Sequence, residues 1–214
     1  SDSPPYQTTG WIFDLPAVDR TRLWWSGLEA MARVHKLDWS VPAFSFLPRP
    51  AAGLTPLQAQ LAYWNHYMDW GMDRSRHPLL ETCLRWLKAN QPADEPTAIC
   101  WGDARISNQI FSGCECIAVI DWEMVFLGNP LADLAWFIGM DRCFTEGIGV
   151  KPLAGIPSKA ETIARWQAHT GMETKHFPYY EVFGSFRFAA IMGRLFLQMK
   201  HYGLIPQEAS VDQD

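Results

Sequence analysis

The run Trp101-Gly102-Asp103-Ala104-Arg105-Ile106-Ser107-Asn108, with Asp121-Trp122-Glu123 starting thirteen residues after its last member, carries the chemistry legible in this chain. An acid, a cation and an amide share one short loop, and a second acid follows an expected hairpin. Phosphoryl transfer from ATP uses such a set: a carboxylate for the proton of the attacking hydroxyl, a cation beside the moving phosphate, and oxygen ligands for Mg²⁺. Asp103 is expected to be the base that accepts the proton and orients the hydroxyl for in-line attack. Arg105 is expected to neutralise charge on the transferring group. Asn108 and Asp121 are expected to ligate Mg²⁺, since hard oxygen donors suit that ion. Glu123 either assists the metal or fixes the loop, and the sequence leaves both roles open.

Helices must frame this loop. The spacing predicts a helix over 15–35, with Trp24, Leu28, Met31 and His35 on one face. Thr55-Pro56 reads as a cap and first-turn proline, opening a helix through Leu57, Leu61, Trp64 and Met68 to Gly71. Pro78 opens another through Leu80, Leu84 and Leu87, stopped by Asn90 and Pro92. Thr97 to Trp101 reads as a short buried strand. Gln109-Ile110-Phe111, a turn at Ser112-Gly113, and Cys116 to Ile120 read as a β-hairpin, its second strand buried by Ile117, Val119 and Ile120. A strand ending near Trp101 would deliver Asp103, and the hairpin would return Asn108 and Asp121 beside it. Helix resumes after Gly128-Asn129-Pro130 through Leu131, Leu134 and Ile138. Ser158-Lys159-Ala160-Glu161 is a capping box for a helix ending near Gly171. Pro178 to Tyr202 forms the longest helical run, with Phe186, Ala190 and Leu197 on its buried stripe. The expected class is α+β, predominantly α-helical, with a small β-hairpin carrying the catalytic and metal loops.

Composition narrows the alternatives. The 214 residues are enough for a substantial core, expected as one domain, and 48% hydrophobic content with 19% charged residues is globular. A formal charge of −5, without a Lys/Arg run, argues against a nucleic-acid or anionic-membrane partner. No stretch is apolar enough to span a bilayer, and Ser1-Asp2-Ser3-Pro4-Pro5 reads as a linker and not a signal peptide. Five cysteines at irregular spacing suit reduced thiols in the cytoplasm. Cys114-Glu115-Cys116 lacks a second ligand pair and reads as hairpin turn and strand. The eleven tryptophans are expected mostly in the core. His35 is expected as a core histidine bonded to a loop carbonyl, and the Trp64, Tyr67, Trp70 set as helical core.

The loop and the metal segment together resemble the aminoglycoside phosphotransferase and choline kinase family, relatives of the protein kinases. That family carries a His-or-Trp, Gly, Asp, four residues, Asn loop, followed by an Ile-Asp-Trp/Phe-Glu segment. The matching residues are Trp101-Gly102-Asp103 through Asn108, and Ile120-Asp121-Trp122-Glu123. The likeness continues through Leu127-Gly128-Asn129-Pro130-Leu131-Ala132-Asp133-Leu134-Ala135, which implies that Asp133 braces the catalytic loop. Its wording is most similar to the branch of kinase-like domains fused to acyl-CoA dehydrogenases. The resemblance covers the family's C-terminal lobe only and implies a protein-kinase-like fold for it. By implication 1–214 is the catalytic and acceptor-binding lobe, with ATP and Mg²⁺ as cofactors and a small-molecule hydroxyl as acceptor.

The nucleotide-binding parts of such an enzyme are not visible upstream of the loop. Only Lys36 and Lys88 precede it, both in helical or helix-end sequence, and Gly147-Ile148-Gly149 reads as a connector. The missing N-terminal lobe is therefore an expected partner, the lone lobe is expected to transfer phosphate slowly or not at all, and its uncovered apolar face is expected to favour self-association. A non-catalytic, pseudokinase-like ligand-binding module is the alternative reading. A metal-dependent hydrolase using the same oxygens is a third.

Overall fold

The structure, a computed structural model, describes residues 5–72, 76–93 and 95–210. In chain order its elements are α1 (Trp11–Asp14), α2 (Ala17–His35), α3 (Pro56–Gly71), α4 (Pro78–Ala89), β1 (Ala98–Cys100), β2 (Gln109–Ser112), β3 (Glu115–Val119), β4 (Phe126–Gly128), α5 (Leu131–Cys143), α6 (Lys159–Thr170) and α7 (Phe177–His201). The fold is α+β and helix-dominated, with two antiparallel pairs, β1 with β4 and β2 with β3. The chain divides into two compact units, Ser1–Arg49 with Asp94–Glu181 and Pro50–Ala93 with Val182–Asp214.

Every sequence-predicted site residue lies in the first unit. There α2 buries Leu23, Trp24, Leu28, Met31 and His35 along one face. The β1–β4 ladder runs from Ala98 opposite Gly128 to Cys100 opposite Phe126. Ile99 and Leu127 of this ladder join Val34 and Leu47 in one cluster, with Trp39, Phe44, Val119 and Val125 packed against it. β4 was not expected: its three residues follow a turn and carry no alternation of their own, so pairing with β1 is what makes them a strand. From Leu131 to Ile138 every residue of α5 is buried, the pattern of a helix surrounded by protein. Ser158 and Glu161 close the capping box of α6, and Gly171 ends that helix in the left-handed region.

The hairpin presents a different face inward from the one expected. Ile117 is 59% and Ile120 43% exposed, whereas Cys116 is buried. The cause is α2, which approaches the opposite face through small residues. Ser26 Oγ accepts the Cys116 amide proton at 2.8 Å, and Gln109 Nε2 donates to the Gly27 carbonyl at 2.9 Å. A Cβ on Gly27 would fall on the Gln109 side-chain amide, so a larger residue there would require that side chain to move. A register irregularity between Ile110 and Phe111 completes the change of face.

In the second unit, Thr55 and Gln58 form a reciprocal capping box ahead of α3, whose buried stripe is Leu57, Leu61, Trp64 and Met68. α4 buries Leu80, Leu84 and Leu87. The aromatic set on α3 departs from expectation, because only Trp64 is buried while Trp70 is 63% exposed. Arg187 and Arg194 of α7 lie over the rings of Trp64 and Trp70 at 5.4 and 3.5 Å, so cations cover what was read as core. On the expected α7 stripe Phe186 and Ala190 are buried and Leu197 is half-buried. Trp24, Trp64, Trp101, Trp136 and Trp166 are buried, five of the eleven tryptophans, fewer than the helical patterns suggested.

Candidate active site

The chain leaves β1 at Cys100 and turns at Gly102, whose φ is +94°. A Cβ there would strike the backbone carbonyl of Met124, so only glycine lets the loop pass at this point. Two backbone amides at this turn then point at one carboxylate. Asp133 is fully buried and accepts from Trp101 N at 2.5 Å and Gly102 N at 2.9 Å.

A third donor reaches the same group, since His35 Nε2 lies 3.0 Å from Asp133 Oδ2. Trp166 Nε1 donates to His35 Nδ1 at 3.0 Å. An indole N–H can only donate, so Nδ1 accepts and the ring proton sits on Nε2, facing Asp133. The expectation of a loop carbonyl for His35 is thereby corrected: its partner is this buried carboxylate. The chain Trp166, His35, Asp133 ties α6, α2 and α5 to the backbone of the loop.

Past the turn, the loop brings Asp103, Arg105 and Asn108 together. Asn108 Nδ2 donates to Asp103 Oδ2 at 2.7 Å and to the Asp103 carbonyl at 3.1 Å. Arg105 Nε donates to Asp103 Oδ2 at 3.0 Å. Trp136 Nε1 donates to Asp103 Oδ1 at 2.8 Å. Sequence reasoning missed Trp136, although its position was readable: it lies three residues after Asp133, on the same face of α5.

The hairpin connects Asn108 to the Asp121-Trp122-Glu123 segment through the backbone, because Ile120 N donates to the Asn108 carbonyl at 3.0 Å. Asp121 follows at φ +63°, the sole non-glycine residue with positive φ among the described residues. Aspartate is among the few side chains that tolerate this region. Both Asp121 and Glu123 are exposed. Neither Asp121 nor Glu123 makes a hydrogen bond or ion pair with Asp103, Arg105 or Asn108, whose mutual bonds form a cluster of their own. Ile120 and Trp122, the chain neighbours of Asp121, are exposed as well.

No three His, Cys, Asp or Glu side chains are grouped to hold a metal among the described residues. The donors that fit Mg²⁺ are of another kind. Asn108 commits its amide nitrogen to Asp103, leaving Oδ1 as its acceptor atom, and Asp121 offers an exposed carboxylate. Such an all-oxygen pair suits an ion that keeps waters and takes its remaining ligands from phosphates.

A separate acid sets the start of α5. Glu95 accepts from Asn129 Nδ2 at 3.0 Å and from the Tyr180 hydroxyl at 2.6 Å, while Asn129 Oδ1 caps Leu131 N at 2.9 Å. Burial pushes the Glu95 carboxyl above its ordinary range, against the pull of these two donors and of His176.

Comparison with known proteins adds to this geometry. The sequence model described as "Phosphotransferase enzyme family" matches residues 15–169. Acyl-CoA dehydrogenase family member 11 of Rattus norvegicus is 28% identical over 193 residues, covering 85% of this chain and 24% of its own length. The chain thus spans about a quarter of that curated relative. A candidate aminoglycoside phosphotransferase from Ralstonia eutropha superposes with a TM-score of 0.75 at 21% identity, covering 98% of this chain and 64% of the other. An aminoglycoside-3'-phosphotransferase of type VIII does so at 0.59 and 18% identity, covering 86% of this chain and 65% of the other.

Proposed function

This chain belongs to the phosphotransferase enzyme family, and from that premise we propose that it is the catalytic and acceptor-binding lobe of an ATP- and Mg²⁺-dependent kinase acting on a hydroxyl of a small molecule. The observation that carries the reading is Asp103, held by Arg105, Asn108 and Trp136 on a loop whose backbone is anchored on a buried carboxylate. Asp103 accepts the proton of the acceptor hydroxyl and orients its oxygen toward the phosphate. Arg105, 35% exposed in its side chain, can contact both Asp103 and the oxygens of the moving group. Asn108 Oδ1 and Asp121 would hold the ion, which when bound offsets negative charge between the two terminal phosphates. Glu123 shares the exposed segment of Asp121, where it would either assist the ion or fix the loop.

The nucleotide-binding lobe is proposed to come from additional sequence. Two facts support this: the chain spans 64% of its structural neighbour, and no lysine-bearing strand precedes the catalytic loop among the described residues. The family name alone does not make the acceptor an antibiotic.

The test is transfer of radiolabelled phosphate from ATP to a panel of hydroxylated small molecules. It compares the 214 residues with the same chain joined to its nucleotide-binding lobe. Transfer is expected from the joined form and to fall by about a thousandfold or more in Asp103→Asn, in line with loss of a general base and its positioning. Undiminished transfer in Asp103→Asn removes that residue from the mechanism. Turnover by the chain alone at the 1–100 s⁻¹ roughly typical of kinases overturns the lobe assignment. Ligand binding with no transfer in either form supports the non-catalytic module instead.

A further inference from the structure

α5 meets the catalytic loop twice. Asp133 takes the backbone amides of Trp101 and Gly102, and one turn later Trp136 reaches the Asp103 side chain. A carboxylate offers about four acceptor positions, two on each oxygen. Both positions on Oδ2 are filled, by Arg105 Nε and Asn108 Nδ2. On Oδ1 one is filled by the indole of Trp136, which leaves a single position.

The donor on Oδ1 is unlike Arg105 on Oδ2, while Asn108, the other donor on Oδ2, is buried as Trp136 is. Arg105 is partly exposed and can swing toward other anions. Trp136 is 3% exposed, on a helix buried along its first eight residues. Its N–H can only donate, and the ring cannot turn away without unpacking α5.

Resting on the phosphotransfer reading above, we propose that Trp136 is a positioning residue whose N–H locks the Asp103 carboxylate, leaving the remaining acceptor position of Oδ1 to receive the hydroxyl proton. In the step it serves, the acceptor O–H bond breaks and its proton goes to Oδ1. The oxygen bonds the terminal phosphorus of ATP, and the bond from that phosphorus to the bridging oxygen breaks. The bridging oxygen keeps the electron pair and leaves as ADP. Trp136 touches no substrate in this account; it acts through Asp103.

Two variants test it. Trp136→Phe removes the donor, and site-specific 3-benzothienylalanine at 136 removes it while keeping the bicyclic shape, which covers the case in which the phenylalanine variant does not fold. In the 214-residue chain, the ¹⁵N-indole resonance of Trp136 is expected to move upfield by several line widths in Asp103→Asn. The Hα–Hβ couplings of Asp103 are expected to report one rotamer in the parent chain and averaging in the analogue. With the nucleotide-binding lobe joined, the analogue is expected to lower kcat about tenfold to a hundredfold while leaving acceptor KM unchanged, the signature of lost orientation. An indole resonance indifferent to Asp103→Asn, couplings unchanged by the analogue, or a raised KM at constant kcat each overturn the proposal. Absence of transfer in the parent strikes the kinase reading, while the resonance and the couplings still decide whether Trp136 fixes Asp103.

Discussion

Replacing Asp133 by asparagine keeps the shape of the side chain and alters only what its two terminal atoms can accept. The native carboxylate takes three donors: Gly102 N on Oδ1, and Trp101 N with His35 Nε2 on Oδ2. An asparagine must place its NH₂ against one of these oxygens' donors. Facing Gly102 is the lesser conflict, since the other orientation opposes two donors. His35 cannot relieve it by moving its proton, because Trp166 already donates to Nδ1. One charge-assisted bond is lost, at about 1.5–3 kcal/mol, and a buried donor is left unpaired, at about 1–3 kcal/mol. The expected loss is about 3 to 5 kcal/mol, in the range for breaking a buried charged network. That is a large share of the roughly 5–15 kcal/mol that holds a domain folded. Urea denaturation measures the total, and amide hydrogen exchange at Trp101 and Gly102 locates it. Exchange there should accelerate by about two powers of ten or more, each 1.4 kcal/mol being roughly tenfold. A loss below about 1 kcal/mol, with exchange at both amides unchanged, would refute the claim that Asp133 holds the loop.

Gly102→Ala should cost about 1–3 kcal/mol from the backbone alone, and more from the clash with the Met124 carbonyl; a midpoint in urea equal to that of the parent chain contradicts this. The pH dependence of stability should carry the mark of Glu95. Its folded carboxyl titrates above the ordinary 4.5, so the native state holds the proton more tightly than the unfolded chain. The resulting stabilisation is full below that value and is lost as pH rises through the folded pKa. Thermal melts from pH 4 to 7 should show this decline, and Glu95→Gln should flatten it; an identical slope in the variant contradicts the assignment.

Much of this arrangement was legible before any coordinates. Caps and prolines are local, so Thr55-Pro56 and Ser158 through Glu161 marked helix starts that the structure places within a residue. The Asp103, Arg105, Asn108 cluster was legible because all three sit on one loop of six residues. What escaped notice depends on contacts distant in sequence. β4 exists through pairing with β1, twenty-eight residues away where Ile99 faces Leu127. The buried face of the hairpin is chosen by Ser26 and Gly27 on a helix some ninety residues earlier. His35 found a carboxylate because α2 and α5 meet, which no pattern within either helix declares. Trp136 differs: its spacing from Asp133 was in view, but nothing in the chain marked which of five buried tryptophans meets Asp103.

Asp121 has a consequence for descent. An aspartate held at φ +63° gives up about a kilocalorie per mole that glycine in the same backbone would not. If the proposed metal role of Asp121 were relaxed in a lineage, exchange to glycine would relieve this strain through a single codon change. A carboxylate kept at this bend is thus a standing test of use. Comparing position 121 among descendants would date the loss of chemistry more sharply than any decay of the hydrophobic interior.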